Sequence, residues 1–350
     1  MYAVIAIFKQ GERSHEWTRA LLLLAALAAV VVFALCWGAP VAWQDIWSAD
    51  ASRAQAARNI FFHLRPVRIL AGVLVGAGLA VSGSALQTVF RNPLAEPYLL
   101  GVSAGGALGA TLARALTGNI ALTLGGFDPA VLAAFAGALI TTFVVYQLGR
   151  GQGKYFGGGF DRSLLLLVGI AVSAFLAALM TMVVAVASRT DLARIVTFWL
   201  MGSLTDITAS GNWVMAICLA IGMVMMYASA RDLNALQLSD EEAATLGVAI
   251  GKLHRRLLFA AALVSAAAVA MAGLIGFIGL LAPHCIRLIF GNDARITLPA
   301  SAMGGAILLV ICDALARSAI APVEVPVGII TALIGVPLFL WLARQGSALG

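Results

Sequence analysis

Long apolar runs divide this chain into segments of membrane-crossing length, separated by shorter polar connections. Crossing the hydrocarbon core takes about 20 apolar residues in a helix. Nine runs approach or exceed that length, at residues 20–37, 69–90, 98–116, 129–148, 163–187, 213–228, 257–290, 296–315 and 327–342. The seventh run is far too long for one crossing, and we expect it to break between Gly273 and Gly276. The pattern predicts an all-α polytopic membrane protein with about ten transmembrane helices.

Composition and charge placement agree with that architecture. Hydrophobic residues make up 62% of the chain and charged residues 11%, whereas soluble domains carry roughly 25% charged residues. If residues 1–19 form a cytoplasmic N-terminus, ten spans return the C-terminus to the same side. Lys9, Lys154 and Lys252 then all lie inside, as the positive-inside rule favours. No basic patch interleaved with aromatic residues indicates nucleic-acid binding, and the four cysteines lack metal-ligand spacing.

A degenerate repeat connects the two halves of the chain. Residues 270–308 resemble residues 79–110 in sequence. Pro283 corresponds to Pro93, and the Met-Ala-Gly that ends at Gly273 corresponds to the Val-Ser-Gly that ends at Gly83. The copies begin in the second and seventh spans, and this odd separation makes them cross the membrane in opposite directions. Inverted repeats are common in transporters. We predict one permease domain over residues 20–345, with repeats at about 65–187 and 257–343.

The longest polar connection, residues 231–256, carries a strong local helix signal. Ser239 is a good N-cap residue, and Glu242 completes a capping box three positions later. We therefore predict a short helix from Asp240 to Leu246 that ends at Gly247. The connection is either a solvated turn between spans or a docking element for a cytosolic partner, and its length favours the second interpretation.

Small and charged residues within the spans indicate packing more than chemistry. Gly101, Gly105 and Gly109 recur every four residues, which places them on one helix face and lets a neighbouring backbone approach closely. Asp313 and Arg317 are four residues apart and can pair, although Arg317 can also project outward. Neither Gly-Lys pair fits the phosphate-binding loop pattern, so the chain shows no nucleotide site of its own.

Several motifs in order along the chain resemble those of one transporter family. They are Gln87, Arg91-Asn92-Pro93-Leu94-Ala95-Glu96-Pro97 with Leu100-Gly101-Val102-Ser103, Gly276-Phe277-Ile278-Gly279-Leu280 with Pro283-His284 and Arg287, and Pro326-Val327-Gly328 through Val336-Pro337. Together they resemble the iron-chelate and cobalamin permease family of bacterial ABC importers. The resemblance covers about residues 60–345.

The resemblance implies a permease subunit, not an enzyme, with partners that supply energy and substrate. It implies a second permease copy, with a homodimer expected, two cytosolic ATPase subunits that bind ATP and magnesium, and a periplasmic substrate-binding protein. The permease itself would hold no cofactor or metal. It would lie in the bacterial inner membrane with both termini in the cytoplasm.

Family likeness also implies roles for particular residues. The cytoplasmic gate maps to Asn92 and Leu94, and to Asp161 and Arg162, a charged pair that replaces small hydroxyl residues of the family. Coupling to the ATPase maps to the capped helix, at Asp240, Glu241, Glu242, Leu246 and Gly247. Docking of the binding protein maps to outward-facing Arg65, Arg68 and Arg317.

Other transporter and protease classes remain as alternatives. An ion-coupled secondary transporter would share the inverted repeat but usually carries ionisable residues in mid-span, where this chain offers little besides Asp313. An intramembrane serine protease could use Ser82 and His284, but the first glycine of a Gly-x-Ser-Gly pattern is missing. Among substrates, ferric siderophores, haem and cobalamin all fit the resemblance, and we favour an iron chelate.

Overall fold

The computed structural model describes residues 2–37, 43–48, 50–118, 127–150, 162–187, 190–320 and 323–347. In these residues the structure is helical, without named strands. The helices are α1 (Tyr2–Cys36), α2 (Ala51–Asn59), α3 (Arg65–Phe90), α4 (Val102–Thr117), α5 (Pro129–Gly149), α6 (Arg162–Ala187), α7 (Thr190–Leu200), α8 (Ala209–Ala228), α9 (Ala230–Leu236), α10 (Asp240–Thr245), α11 (Ile250–Ala272), α12 (Ile278–Phe290), α13 (Ala294–Ser318) and α14 (Val327–Ser347). A π-helical turn at Ile60–Leu64 joins α2 to α3.

The predicted spans coincide with helices of the structure. Seven helical segments are long and apolar enough to cross a membrane, and they include α1, α3, α5, α6, α8, α11 and α13. Two shorter apolar helices, Ile278–Phe290 and Val327–Leu340, match the eighth and tenth spans. The 16-residue α4 matches the third. The prediction of an all-α polytopic protein is confirmed.

The long seventh apolar run breaks where the glycines predicted. Helix α11 ends at Ala272, and α12 begins at Ile278. Gly273 has a φ of +67°, a left-handed conformation that glycine adopts without a steric penalty. A Cβ there would also meet the carbonyl oxygen of Trp199. Both the conformation and the close contact therefore require glycine at the break.

Helices α3 and α11 form the buried centre of the bundle. Their most apolar stretches are 83% and 72% buried, whereas the corresponding stretches of α1 and α6 are 6% and 11% buried. Helix α3 packs against α8, α11, α12 and α13. A Cβ added to Gly83 would collide with the backbone of Gly279 at the start of α12. The two predicted repeats therefore meet backbone to backbone at the core.

The predicted glycine face on α4 is confirmed at two of its three positions. Gly105 and Gly109 lie against the backbone of α5, with the carbonyl oxygens of Gly137 and Ala133 where their side chains would be. Gly101 has a different role, because it precedes α4 with a φ of +77° and ends the short 3-10 turn Pro97–Leu100. The four-residue spacing thus combines two packing positions with one turn position.

Candidate coupling and gating site

A short capped helix projects from the connection between α9 and α11. The Ser239 side chain accepts a hydrogen bond of 2.9 Å from the backbone N–H of Glu242, as the capping pattern predicted. Helix α10 ends at Thr245, one residue earlier than expected, and Gly247 follows with a φ of +83°. The local sequence therefore determines both ends of this helix.

One face of α10 is buried and the opposite face is exposed. Ala243 is fully buried, whereas Glu241 and Glu242 are exposed. Leu246 is 66% exposed and Leu238, just before the helix, is 62% exposed. The short helix therefore presents acidic side chains, with an exposed leucine on each side of it, to its surroundings.

The Asn92–Leu94 segment forms a side-chain-stabilised turn at the end of α3. The Asn92 Oδ1 atom accepts a hydrogen bond of 2.9 Å from the Leu94 N–H, which is the Asx turn that this residue type favours. Arg91 ends α3 in the left-handed conformation, with a φ of 47°. Leu94 is 47% exposed. The turn thus fixes the backbone while leaving the leucine available for contact.

Arg162 begins α6 and reaches two other segments of the chain. Its Nε donates to the carbonyl oxygen of Val89 on α3 at 2.6 Å. Its guanidinium also pairs with Asp240 of α10 at 2.6 Å. Asp161, the other predicted residue of this gate segment, lies outside the described residues. The gate role of both residues stays a prediction, and the structure joins Arg162 to the last turn of α3 and to the capped helix.

The three arginines assigned to docking come together at the other end of the bundle. Arg68 pairs with Asp313 at 2.9 Å and with Glu324 at 2.7 Å. Arg317 pairs with the same Asp313 at 3.1 Å. The predicted pairing of Asp313 with Arg317 is therefore present. A carboxylate held by two arginines differs from the unpaired mid-span acid expected of an ion-coupled transporter.

Two of these arginines are buried against the first helix. Arg65 and Arg317 are each only 4% exposed. They donate to the carbonyl oxygens of Leu35 and Ala34 at 3.1 and 3.2 Å, and the Arg65 guanidinium lies 4.1 Å from the ring centre of Phe61. These bonds satisfy carbonyl groups that the end of α1 leaves without helical partners. Arg65 and Arg317 are thus buried in this chain, and their position on the periplasmic face and their docking role stay predictions.

A link between the two predicted repeats is a feature that the sequence did not indicate. The Glu96 carboxylate accepts a hydrogen bond of 2.7 Å from the Phe277 N–H, and the Tyr98 hydroxyl donates to the Ile275 carbonyl oxygen at 2.7 Å. Both bonds hold the unwound stretch between α11 and α12. The only signal was that Glu96 belongs to the Asn-Pro-Leu motif, which says nothing about its partner.

This link borders a cavity of about 250 Å³ lined by Glu96, Tyr98, Leu99, Ser103, Ile170 and Ser173. Glu96 lies in the turn between α3 and α4. Desolvation by the surrounding chain raises its pKa to about 7, and the Phe277 hydrogen bond opposes that rise. A carboxyl group that titrates near neutrality therefore holds the backbone of the second repeat.

The serine of the protease alternative is engaged in packing. Ser82 is fully buried, and its hydroxyl donates to the Ala261 carbonyl oxygen at 3.3 Å. In the described residues, no hydrogen bond between Ser82 and His284 is present. Nor do any three His, Cys, Asp or Glu side chains of the described segments lie together as metal ligands would.

Comparison with known proteins decides the family. The sequence profile of the FecCD transport family matches residues 21–345. The chain belongs to the FecCD transport family. Among members of this FecCD family, the cobalamin import permease BtuC of Halobacterium salinarum is 42% identical over 291 residues, which are 83% of this chain and 75% of the relative.

Two further relatives and two solved structures extend the FecCD comparison. The hemin transport permease HmuU of Yersinia pestis is 39% identical, with 86% of this chain and 87% of the relative covered. The vitamin B12 import permease BtuC of Salmonella typhi is 36% identical, with 97% and 98% covered. An inward-facing metal-chelate type ABC transporter has a TM-score of 0.77 and 29% identity, with 93% of this chain and 98% of that chain covered. PsaBC of Streptococcus pneumoniae shares the fold alone, with a TM-score of 0.58, 17% identity and coverage of 82% and 94%.

Proposed function

We propose that this chain is the transmembrane permease subunit of an ABC importer for a metal chelate. The observation that carries the proposal is the FecCD match over residues 21–345. The capped and exposed helix α10 supports it, because a permease without its own nucleotide site needs a surface for an ATPase. ATP hydrolysis then resides in separate subunits, and this chain supplies the pathway and the coupling surface.

The partners in this proposal are a second copy of the chain, two cytosolic ATPase subunits and a substrate-binding protein. Helix α6 supports a second copy, because it is long, apolar and little buried, with exposed Ile170 and Phe175. The cavity beside Ile170 and Ser173 then opens towards the interface of the two copies. The protein lies in the inner membrane, with α10 and both chain ends on the cytoplasmic side.

The substrate class we favour is a metal held in a tetrapyrrole-type macrocycle, either haem or a cobalamin. Two of the relatives are named for cobalamin or vitamin B12 and one for hemin. A ferric siderophore is the third class to be tested. The described residues carry no cluster of metal ligands, which suits a pathway that passes an intact chelate.

The test is ATP-driven uptake by the reconstituted importer. The permease is purified with its ATPase, placed in proteoliposomes with the binding protein outside, and offered haem, cyanocobalamin and a ferric siderophore separately. Uptake of one macrocycle that stops when ATP is replaced by a non-hydrolysable analogue is the expected result. Uptake that follows an imposed ion gradient without ATP would instead establish a secondary transporter, and preference for the siderophore would overturn the substrate class.

A further inference from the structure

The Asp240 side chain connects α10 to the end of α3 and to the start of α6, which are far apart in the sequence. This first residue of α10 directs one carboxylate oxygen, Oδ1, at two guanidiniums. Arg91, at the end of α3, lies 3.1 Å from that oxygen, and Arg162, at the start of α6, lies 2.6 Å from it. Both arginines donate through a terminal nitrogen, so a movement of any one segment alone lengthens at least one of the two ion pairs.

Both arginines also donate hydrogen bonds to backbone carbonyl oxygens, which hold their side chains in place. The Arg91 Nε and terminal nitrogen both donate to the Leu236 carbonyl oxygen, at 3.1 and 2.9 Å. Leu236 is the buried last residue of α9. The Arg162 Nε donates to the Val89 carbonyl oxygen in the last turn of α3. Each guanidinium therefore binds a backbone carbonyl oxygen and also shares the Asp240 carboxylate.

The rest of α10 is only lightly attached to the bundle. Ala243 is its buried residue, and Glu241 and Glu242 are exposed. Glu241 makes no ion pair with any residue that the structure describes. Among the described residues, Asp240 is thus the α10 side chain that pairs with the end of α3 and the start of α6.

We propose that Asp240 is the transmission residue of the importer, joining the ATPase-docking helix to both segments of the cytoplasmic gate through Arg91 and Arg162. When the ATPase subunits displace α10, the shared carboxylate moves the Asn92–Leu94 turn and the start of α6 together. This inference rests on the proposed function, since it assumes that α10 meets the ATPase. Its effect is on coupling, because partly exposed ion pairs contribute little to stability.

The decisive measurement is the number of substrate molecules imported per ATP hydrolysed by the complete reconstituted complex. Asp240→Asn keeps the size of the side chain and removes the charge, and we expect the ratio to fall about tenfold, the factor equivalent to ~1.4 kcal/mol. Asp232→Asn removes the same charge from the neighbouring helix α9 without breaking an ion pair among the described residues, and it should leave the ratio unchanged.

A second readout follows the gate itself. Leu94→Cys should change its reaction rate with a water-soluble thiol reagent when ATP binds, and the parent chain with its four native cysteines serves as the blank. With Asp240→Asn added, the ATP-dependent change should disappear. The double variant Asp240→Asn/Arg162→Gln should be no worse than Asp240→Asn alone, because the groups act as one unit.

The outcomes separate this inference from the proposed function. Leu246→Asp should detach the ATPase from the purified complex. If it does, but Asp240→Asn retains the parental ratio and the parental change at Leu94→Cys, the transmission role is wrong while the docking role of α10 stands. If Leu246→Asp leaves both the complex and its uptake intact, the docking role of α10 fails, and the inference fails with it. An equal loss of ratio in Asp232→Asn would overturn the inference by showing that the general charge of this region, and not the shared contact, matters.

Discussion

Replacing Asp313 by Asn removes the charge that holds Arg68 and Arg317 together. The Asp313 and Arg317 side chains are 3% and 4% exposed, so solvent cannot replace the lost partner. Breaking a buried pair on one side costs about 3–5 kcal/mol. Arg68 keeps Glu324 at 2.7 Å, so we expect a loss near the lower end, about 3 kcal/mol. The matched control is Glu324→Gln, whose parent side chain is 42% exposed and whose loss should cost about 1 kcal/mol or less.

The assay is thermal unfolding of the purified protein in detergent, followed by tryptophan fluorescence. Midpoints are compared at one scan rate, because unfolding of such proteins is often irreversible. Asp313→Asn should lower the midpoint clearly more than Glu324→Gln. Equal midpoints for the two variants, or a parental midpoint for Asp313→Asn, would show that the arginines are not held by a buried charge. The double charge reversal Arg65→Glu/Arg317→Glu tests the docking prediction, which expects it to abolish uptake. The same unfolding assay must accompany it, because loss of uptake indicates docking only when the midpoint is retained.

Three further predictions concern the coupling helix, the gate and the link between repeats. Gly247→Val should lower ATP-driven uptake without changing membrane insertion, because a β-branched residue does not readily adopt the φ of +83° found at this position. Gly247→Asn, which tolerates that conformation, should retain more uptake, and equal uptake by the two variants would contradict the reasoning. Leu94→Ala should let substrate leak from proteoliposomes without ATP, and leakage equal to that of the parent would remove this turn from the gate. Burial raises the pKa of Glu96 from its ordinary 4.5 to about 7, so its contribution to stability should be lost as pH rises from about 4.5 to 7. Glu96→Gln should remove that part of the pH dependence of the unfolding midpoint, and an unchanged dependence would refute the assignment.

The helices could be predicted from the sequence because their signals are local. An apolar run of membrane length identifies the span directly, and the break after Ala272 follows from glycines within the run. Ser239 and Glu242 likewise determine the start of α10 over four consecutive residues. In each case the residues that carry the signal are also the residues that form the structure, so no information about distant segments is needed.

The partners of the charged residues could not be predicted in the same way. Arg162 meets an acid 78 positions away, and Arg317 meets a carbonyl group 283 positions away. Nothing in the sequence near Arg65 or Arg317 says that the end of another helix will cover it. Charge and span parity correctly placed the three arginines at one end of the bundle. Their burial depends on how α1 packs, which is a property of the assembled bundle.

The attachment of α1 bears on the order in which the protein assembles during synthesis. Helix α1 is the first span to enter the membrane, yet its main neighbour is α13, near the end of the chain. Ala34 packs with Val310 and Ala314 of that helix, and Arg317 binds the α1 carbonyl group beside them. Until the ribosome has delivered α13, α1 must reside among lipids with this face unpaired. The apolar Trp17–Cys36 part of α1 can reside in lipid during that time. A chain that terminates before α13 leaves α1 with its smaller contact to α3.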